Sequence, residues 1–203
     1  MDIPISYLRT ISSLLYSDID KKELANSCSN TQYLSKKWLV ETLQDKWSSN
    51  QPTIQILGGW YGIYLVPMLK KTLEPKHIFF NDVDPSAIKY AKVLHGETNI
   101  TYQCFDVDSL PLSVLSNNYD ILINTSCEHM KDMAHIVKAE PDKTYVFQSC
   151  DNKNDPGHIN VVKSSEELAQ KSGISNVIFS GRLSFGYKNR FMVIGNASVI
   201  NKQ

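Results

Sequence analysis

Neither sign of charge dominates this sequence of 203 residues: 21 lysines and arginines balance 21 aspartates and glutamates. A dedicated nucleic-acid binder normally carries a basic excess that neutralises phosphates. The balance weighs against one, although a local basic patch stays open. No apolar run approaches the length of a membrane span. The opening stretch, MDIPISYLRT, lacks a basic segment followed by an apolar one, so no secretory signal is expected. None of the four cysteines, Cys28, Cys104, Cys127 and Cys150, lies in a CxxC pair. They read as reduced thiols of a cytoplasmic protein, and no metal is expected. There is no internal repeat and no low-complexity segment. Two phosphate cradles are also missing. The stretch GGWYG is not the GxGxxG of a dinucleotide turn, and nothing spells GxxxxGK[ST].

What is present suits one folded domain. The length allows a sizeable core, and the apolar share of 42% is ordinary for a folded chain. Residues 1–50 read as a helical appendage or lid. ISYLRTISSLLYSDI spaces Ile5, Leu8, Ile11 and Leu15 at helical intervals, and LSKKWLVETLQDKW predicts a second helix with Ser35 as N-cap. The polar stretch SCSNTQ before it reads as a loop. SSNQP then breaks the pattern. Residues 51–203 alternate short apolar runs with helical stretches. TIQILG, HIFFNDVD, ITYQCFD, YDILIN and TYVFQS read as strands, and IYLVPMLKKTL, PSAIKYAKVLH, EHMKDMAHIVKA and SSEELAQKSG as helices. NVIFSGRL and RFMVIGN close the chain with no helix between them. Together these predict an α/β fold: a seven-stranded, mostly parallel sheet with helices on both faces and an antiparallel last hairpin.

In such a sheet, ligands bind outside the carboxyl ends of the strands. Polar residues gather at five of those ends: Gly58-Gly59-Trp60-Tyr61-Gly62, Asn81-Asp82-Val83-Asp84, Asp106-Val107-Asp108, Asn124 to His129, and Gln148 to Asn152. The adjacent glycines suggest something approaching the backbone closely, with Trp60 and Tyr61 as an aromatic wall. Asp82 follows the glycine turn by about twenty residues, where a nucleotide fold places an acid for ribose hydroxyls. A carboxylate there would repel a 2′-phosphate. The plainer role, capping the helix that starts at Pro85, falls to Asp84.

From Ile54 to Asn152 the sequence resembles the class I S-adenosylmethionine-dependent methyltransferases. IQILGGWYG is similar to the family's glycine-rich first motif, FFNDVDPSAIKYAK to its second strand, acid and helix, and CFDVDSLP to its third-strand segment. YDILINTSCEHMKDM resembles the fourth strand with a following EH pair, and GHINVVKSSEELAQKSGI the stretch before the last hairpin. The resemblance implies S-adenosyl-L-methionine as cofactor. It implies contacts from Gly58, Gly59, Trp60, Tyr61, Gly62, Asp82, Val83, Asp106, Val107 and Asn124, with Asp82 on the ribose and Asp106 near the adenine. The sequence departs from the pattern at Gln55, where an acid is usual, in GGWYG, and in AEPDK before the fifth strand.

Methyl transfer needs an aligned nucleophile and, for some acceptors, a base. His129 is the base candidate, because histidine titrates near neutrality; packing against the core is the equal alternative. Glu128 beside it would hold a cationic substrate group or the cofactor. Gln148 and His158 are further substrate candidates, although His158 also suits a plain loop role. Cys127 lacks a preceding proline and reads as a buried small residue. The amino-directed DNA methyltransferase signature [DNS]PP[YFW] is absent. A small-molecule acceptor is therefore expected, with nucleic acid disfavoured but open, and no membrane partner. Other uses of the same cofactor, a nicotinamide oxidoreductase, and a non-catalytic nucleoside-binding module are the competing readings.

Overall fold

A computed structural model describes residues 4–48, 51–109 and 118–198. Leu110 and Pro111 of the third motif, and Ser49 and Asn50 of the SSNQP break, lie outside them. The elements run α1 (Ile5–Leu14), α2 (Lys21–Ser27), α3 (Asn30–Lys46), β1 (Thr53–Leu57), α4 (Leu65–Thr72), β2 (His77–Asp82), α5 (Pro85–His95) and β3 (Ile100–Cys104). Then come β4 (Ile121–Asn124), a 3₁₀ turn (Cys127–His129), α6 (Ala134–Ala139), β5 (Thr144–Cys150), α7 (Ser165–Ser172), β6 (Asn176–Ser184) and β7 (Asn189–Asn196).

The seven strands form one sheet in the order β3-β2-β1-β4-β5-β7-β6. β1 to β5 pair in parallel, while β7 runs antiparallel to both β5 and β6. The expected architecture is thus the observed one. The strand order reverses between β1 and β4, which opens a crevice at their carboxyl ends. Successive side chains of a strand point to opposite faces. Ile54, Ile56, Ile121, Ile123, Val146, Met192 and Ile194 therefore meet α3, α4 and α5 on one face. Leu122, Tyr145, Phe147, Phe191 and Val193 meet α6 and α7 on the other. A third cluster ties α1 and α2 to α5 through Leu14, Ile19, Leu24, Tyr61 and Tyr90. β6 lies at the sheet edge, with a bulge between Val177 and Phe179.

Three local expectations are corrected. α3 begins at Asn30, capped by Ser29, whose hydroxyl accepts the Gln32 N–H at 3.4 Å. Ser35 is therefore not an N-cap. It is buried inside the helix and donates to the Gln32 carbonyl, so the NTQ of SCSNTQ is helix rather than loop. EHMKDMAHIVKA is not one helix: Glu128 and His129 lie in the 3₁₀ turn, Met130 is extended, and α6 starts only at Ala134. Asp132 accepts the Ala134 N–H at 3.0 Å and starts the helix there. The short α2 was not expected. Asp20 caps it, accepting from Lys22 and Glu23. Asp84 caps α5 by accepting the Ser86 N–H at 2.8 Å, with Pro85 in the first turn, as expected.

His95, at the end of α5, joins three elements. Its Nε2 lies 2.8 Å from the Tyr61 carbonyl, its ring stacks on Tyr7 of α1, and Phe80 of β2 packs beside it. Burial, with Lys70 nearby, pushes its pKa down to about 4. The unfolded chain takes up this proton near pH 6.5, whereas the native state resists it. Stability should therefore fall as pH drops from 6.5 towards 4, by at most about 3 kcal/mol from this group. Urea denaturation across that range should show the loss, and His95→Gln should flatten it.

Candidate functional site

A cavity of about 980 Å³ opens over the carboxyl ends of β1 to β5. That is the upper end of the range for small-molecule sites, about 300–1,000 Å³. One end is built by the loop after β1 and the ends of β2 and β3. The other lies between α3, the 3₁₀ turn, the loop after β5 and the β6–β7 hairpin.

At the first end the backbone of the glycine loop turns left-handed at Gly58 (φ 59°), Trp60 (φ 51°) and Gly62 (φ 63°). A non-glycine residue in that region costs about 1–2 kcal/mol. Two bonds to the end of β2 hold the loop there. The Gly59 N–H donates to the Asn81 carbonyl at 2.9 Å, and the Trp60 N–H to Asp82 Oδ2 at 2.7 Å. The need for glycine at 59 comes from the core. A Cβ there would stand 2.4 Å from the Phe80 ring. The close approach expected from outside is met from beneath, by an aromatic side chain of β2.

Asp82 is 9% exposed. Burial pushes its pKa up, against N–H donors from Asp84 and Trp60 that pull it down. Oδ1 accepts the Asp84 N–H at 3.0 Å and Oδ2 that of Trp60, leaving each oxygen one further acceptor position. Val83, Phe105, Val107 and Met130 supply apolar walls nearby. Asp106 lines the cavity, but its carboxylate is occupied by its own loop, by the Asp108 N–H at 2.9 Å and the Ser109 hydroxyl.

The second end centres on a buried ion pair. Arg190 of β7 donates to Glu128 Oε1 and to the Thr125 carbonyl. Burial pushes the Glu128 pKa up, but Arg190 more than offsets this and holds it below the usual value. Burial likewise disfavours the arginine cation, and Glu128 outweighs it. The Glu128 carbonyl accepts from Ile159 at 2.8 Å and Asn160 at 3.0 Å, which fastens the loop after β5 against the 3₁₀ turn. That loop brings His158 to His129, edge to face, at 4.6 Å between ring centres. His129 stands exposed at the rim. Burial of its ring face, with His158 and Arg190 close by, lowers its pKa against the pull of Glu128.

Glu128, Cys150 and His158 offer three potential ligand atoms within 4.8 Å of one another. They make a poor metal cage. His158 Nδ1 lies 2.5 Å from the Asn152 carbonyl, which only accepts, so that nitrogen carries the proton and Nε2 alone is free to ligate; the case against a cage lies with the other two groups. Glu128 is already paired with Arg190, and burial raises the Cys150 pKa.

Gly58, Gly59, Trp60, Gly62, Asp82, Val83, Asp106, Val107, Glu128, His129 and His158 all line the cavity. Three predicted site residues are not among the lining residues. Tyr61 is buried against α1, α2 and α5, edge-on to Tyr90. Asn124 is fully buried, accepting the Ser126 N–H and donating to Met130 and Met133 sulfurs. Gln148 is fully buried on the α3 side of β5, donating to the Ser35 carbonyl at 3.1 Å. Strand parity decides both: Gln148 shares a face with Val146, and Asn124 with Leu122. Thr125, Ser126 and Cys150, from the strand ends expected to face a ligand, line the cavity; Arg190 was not expected as the partner of Glu128. One signal was available for Arg190: it opens the expected strand, whose next residues, FMVI, are all apolar.

No protein-family model matches the sequence, and no curated protein does. Solved structures do match in fold. A SAM-dependent methyltransferase from Aquifex aeolicus matches with a TM-score of 0.61 at 16% identity, over 89% of this chain and 100% of that one. Magnesium protoporphyrin IX methyltransferase from Synechocystis PCC 6803 with bound SAH gives 0.63 at 14%, over 95% and 94%. A tRNA methyltransferase from B. subtilis gives 0.55 at 14%, over 80% and 65%. The fold is the Rossmann-like fold of the class I S-adenosylmethionine-dependent methyltransferases.

Removing one partner of a buried pair strands the other charge, which costs about 3–5 kcal/mol. Glu128→Gln should therefore lower stability by roughly that much in urea denaturation. The double variant Glu128→Gln with Arg190→Met should recover part of the loss.

Proposed function

We propose that the chain is an S-adenosylmethionine-dependent methyltransferase acting on a small-molecule acceptor. The observation that carries this reading is Asp82: a buried carboxylate at the end of β2, facing the cavity, with acceptor capacity left on both oxygens. A ribose diol fits those two oxygens. Val83, Phe105, Val107 and Met130 offer a flat apolar slot for an adenine beside it. The glycine loop, held on Phe80, presents its backbone to the amino-acid end. The cofactor supplies an electrophilic methyl group on a sulfonium, so no metal or redox group is called for.

The chain's own part is alignment, exclusion of water and handling of one proton. Trp60 and the α2–α3 segment, through Ser27 and Gln32, flank the middle of the cavity and act as its lid. His129 takes the proton from an acceptor that carries one. Its lowered pKa keeps the ring neutral at pH 7, as a base must be. His158 packs edge to face against it, with its Nδ1 proton committed to Asn152, and fixes the ring's position. Glu128 holds Arg190 rather than substrate, which makes it a positioning residue. The balanced net charge supports a small acceptor over a nucleic acid.

Calorimetry tests the cofactor. S-adenosylhomocysteine should bind at micromolar levels, and Asp82→Ala should weaken it by about 1.5–3 kcal/mol. NAD binding in its place would refute the reading.

The base has its own test. His129→Ala should cut turnover about 10²–10⁴-fold with cofactor affinity unchanged. The acidic limb of the wild-type rate should have its midpoint below the ordinary histidine value, because the His129 pKa is lowered, and the variant should lose this limb. Activity should fall only modestly with salt, whereas the steep slope of many released counterions would point to a nucleic-acid acceptor.

A further inference from the structure

α3 lays one face on the sheet, through Ser35, Lys36, Leu39, Val40 and Leu43. Leu39, Val40 and Leu43 stand three, four and seven positions after Lys36, so the lysine belongs to the buried stripe itself. It is 9% exposed and lines the far end of the cavity. Its neighbour Lys37 behaves ordinarily, partly exposed and paired with Glu41 across one helical turn. Lys36 has no hydrogen-bond or ion-pair partner among the described residues.

Its surroundings make this more unfavourable. Glu128, the acid closest in effect, is taken by Arg190, and its second oxygen is shielded. Arg190 and Lys188 also line this end. Burial and both of these cations drive the Lys36 pKa well below normal, with Glu128 opposing. Three cationic side chains thus stand at this end, with Glu128 committed to Arg190 and Asp155 turned to His158. Unpaired buried charge costs several kcal/mol, and a leucine at this position would continue the stripe. A group of the opposite charge is the chemistry that this placement recognises.

We infer that the distal end of the cavity is an anion subsite, in which Lys36, flanked by Lys188 and Arg190, holds a carboxylate or phosphate group of the acceptor. That this ligand is the acceptor rests on the methyltransferase reading; the subsite itself rests on the placement of Lys36. The acceptor then enters anion first. Its nucleophile is left towards His129 and the glycine loop, and the anion completes the charge balance that folding leaves open.

Amine labelling of the wild-type protein tests this directly. N-hydroxysuccinimidyl acetate is applied at constant ionic strength, with modification of each lysine read by peptide mass spectrometry. Acetate and inorganic phosphate are the two probes, against chloride. One of them should slow labelling of Lys36 roughly tenfold at ten times its dissociation constant, and leave Lys37 unchanged. Whichever protects identifies carboxylate or phosphate. Lys36→Met keeps the stem and removes the charge. It should raise the melting temperature and abolish the stabilisation that the protecting anion gives the wild type.

Protection without binding of S-adenosylhomocysteine would keep the subsite and discard the methyltransferase reading. Binding of S-adenosylhomocysteine with no protection by either anion would do the reverse. Protection of Lys36 by a short RNA oligonucleotide alone would overturn the small-anion proposal in favour of a nucleic-acid acceptor. If Lys36 resists the reagent in chloride, its amine does not open into the cavity, and the proposal falls.

Discussion

Everything in the site hangs from the seam between the ends of β1 and β2. The Phe80 ring lies under Gly59 so closely that no side chain fits there. The Trp60 N–H and the Gly59 N–H are both spent on β2, one on Asp82 and one on Asn81. These bonds hold a tryptophan in a backbone conformation it would otherwise avoid. They also set Asp82: two backbone N–H groups hold its carboxylate at the cavity wall. Loop, acid and aromatic floor are one mechanical unit, and His95 clamps it to α1 and α5 from behind.

The second half of the cavity obeys a different logic. Its polar groups come from segments far apart in the chain: Lys36 from α3, Glu128 from the turn after β4, His158 from the loop after β5, and Arg190 from β7. Packing brings them together, and electrostatics then sorts them. Glu128 and Arg190 pair with one another, and Lys36 has no hydrogen-bond or ion-pair partner among the described residues. One half of the cavity is preorganised by hydrogen bonds and the other is left incomplete in charge. That division of labour suits a site with one invariant ligand and one selected ligand.

Much of this was legible in the sequence. Strand–helix alternation and the unbridged closing pair foretold the sheet, because parallel strands need crossovers and hairpins do not. The polar strand ends located the cavity, since topology places ligands there. What stayed hidden was side-chain direction. Gln148 and Asn124 look like site residues at strand ends, but parity turns them into the two faces of the sheet. The glycine pair correctly signalled a close approach, but a sequence cannot say that the approaching group is Phe80. The start of α3 was missed because capping is local: Ser29 caps it rather than Ser35. Lys36 carried a further signal, a charge inside an apolar stripe at helical spacing.

The bulge in β6 has a consequence for the company this protein keeps. An outermost strand offers its free N–H and C=O groups to any passing strand, and Val177 and Ile178 are 45% and 44% exposed beside it. The register shift between Val177 and Phe179 breaks that row of groups. A strand that docks in register at Asn176 is out of step by Ser180, so the edge cannot template a continuous ladder. The irregularity guards the sheet against growing, copy upon copy, into an aggregate.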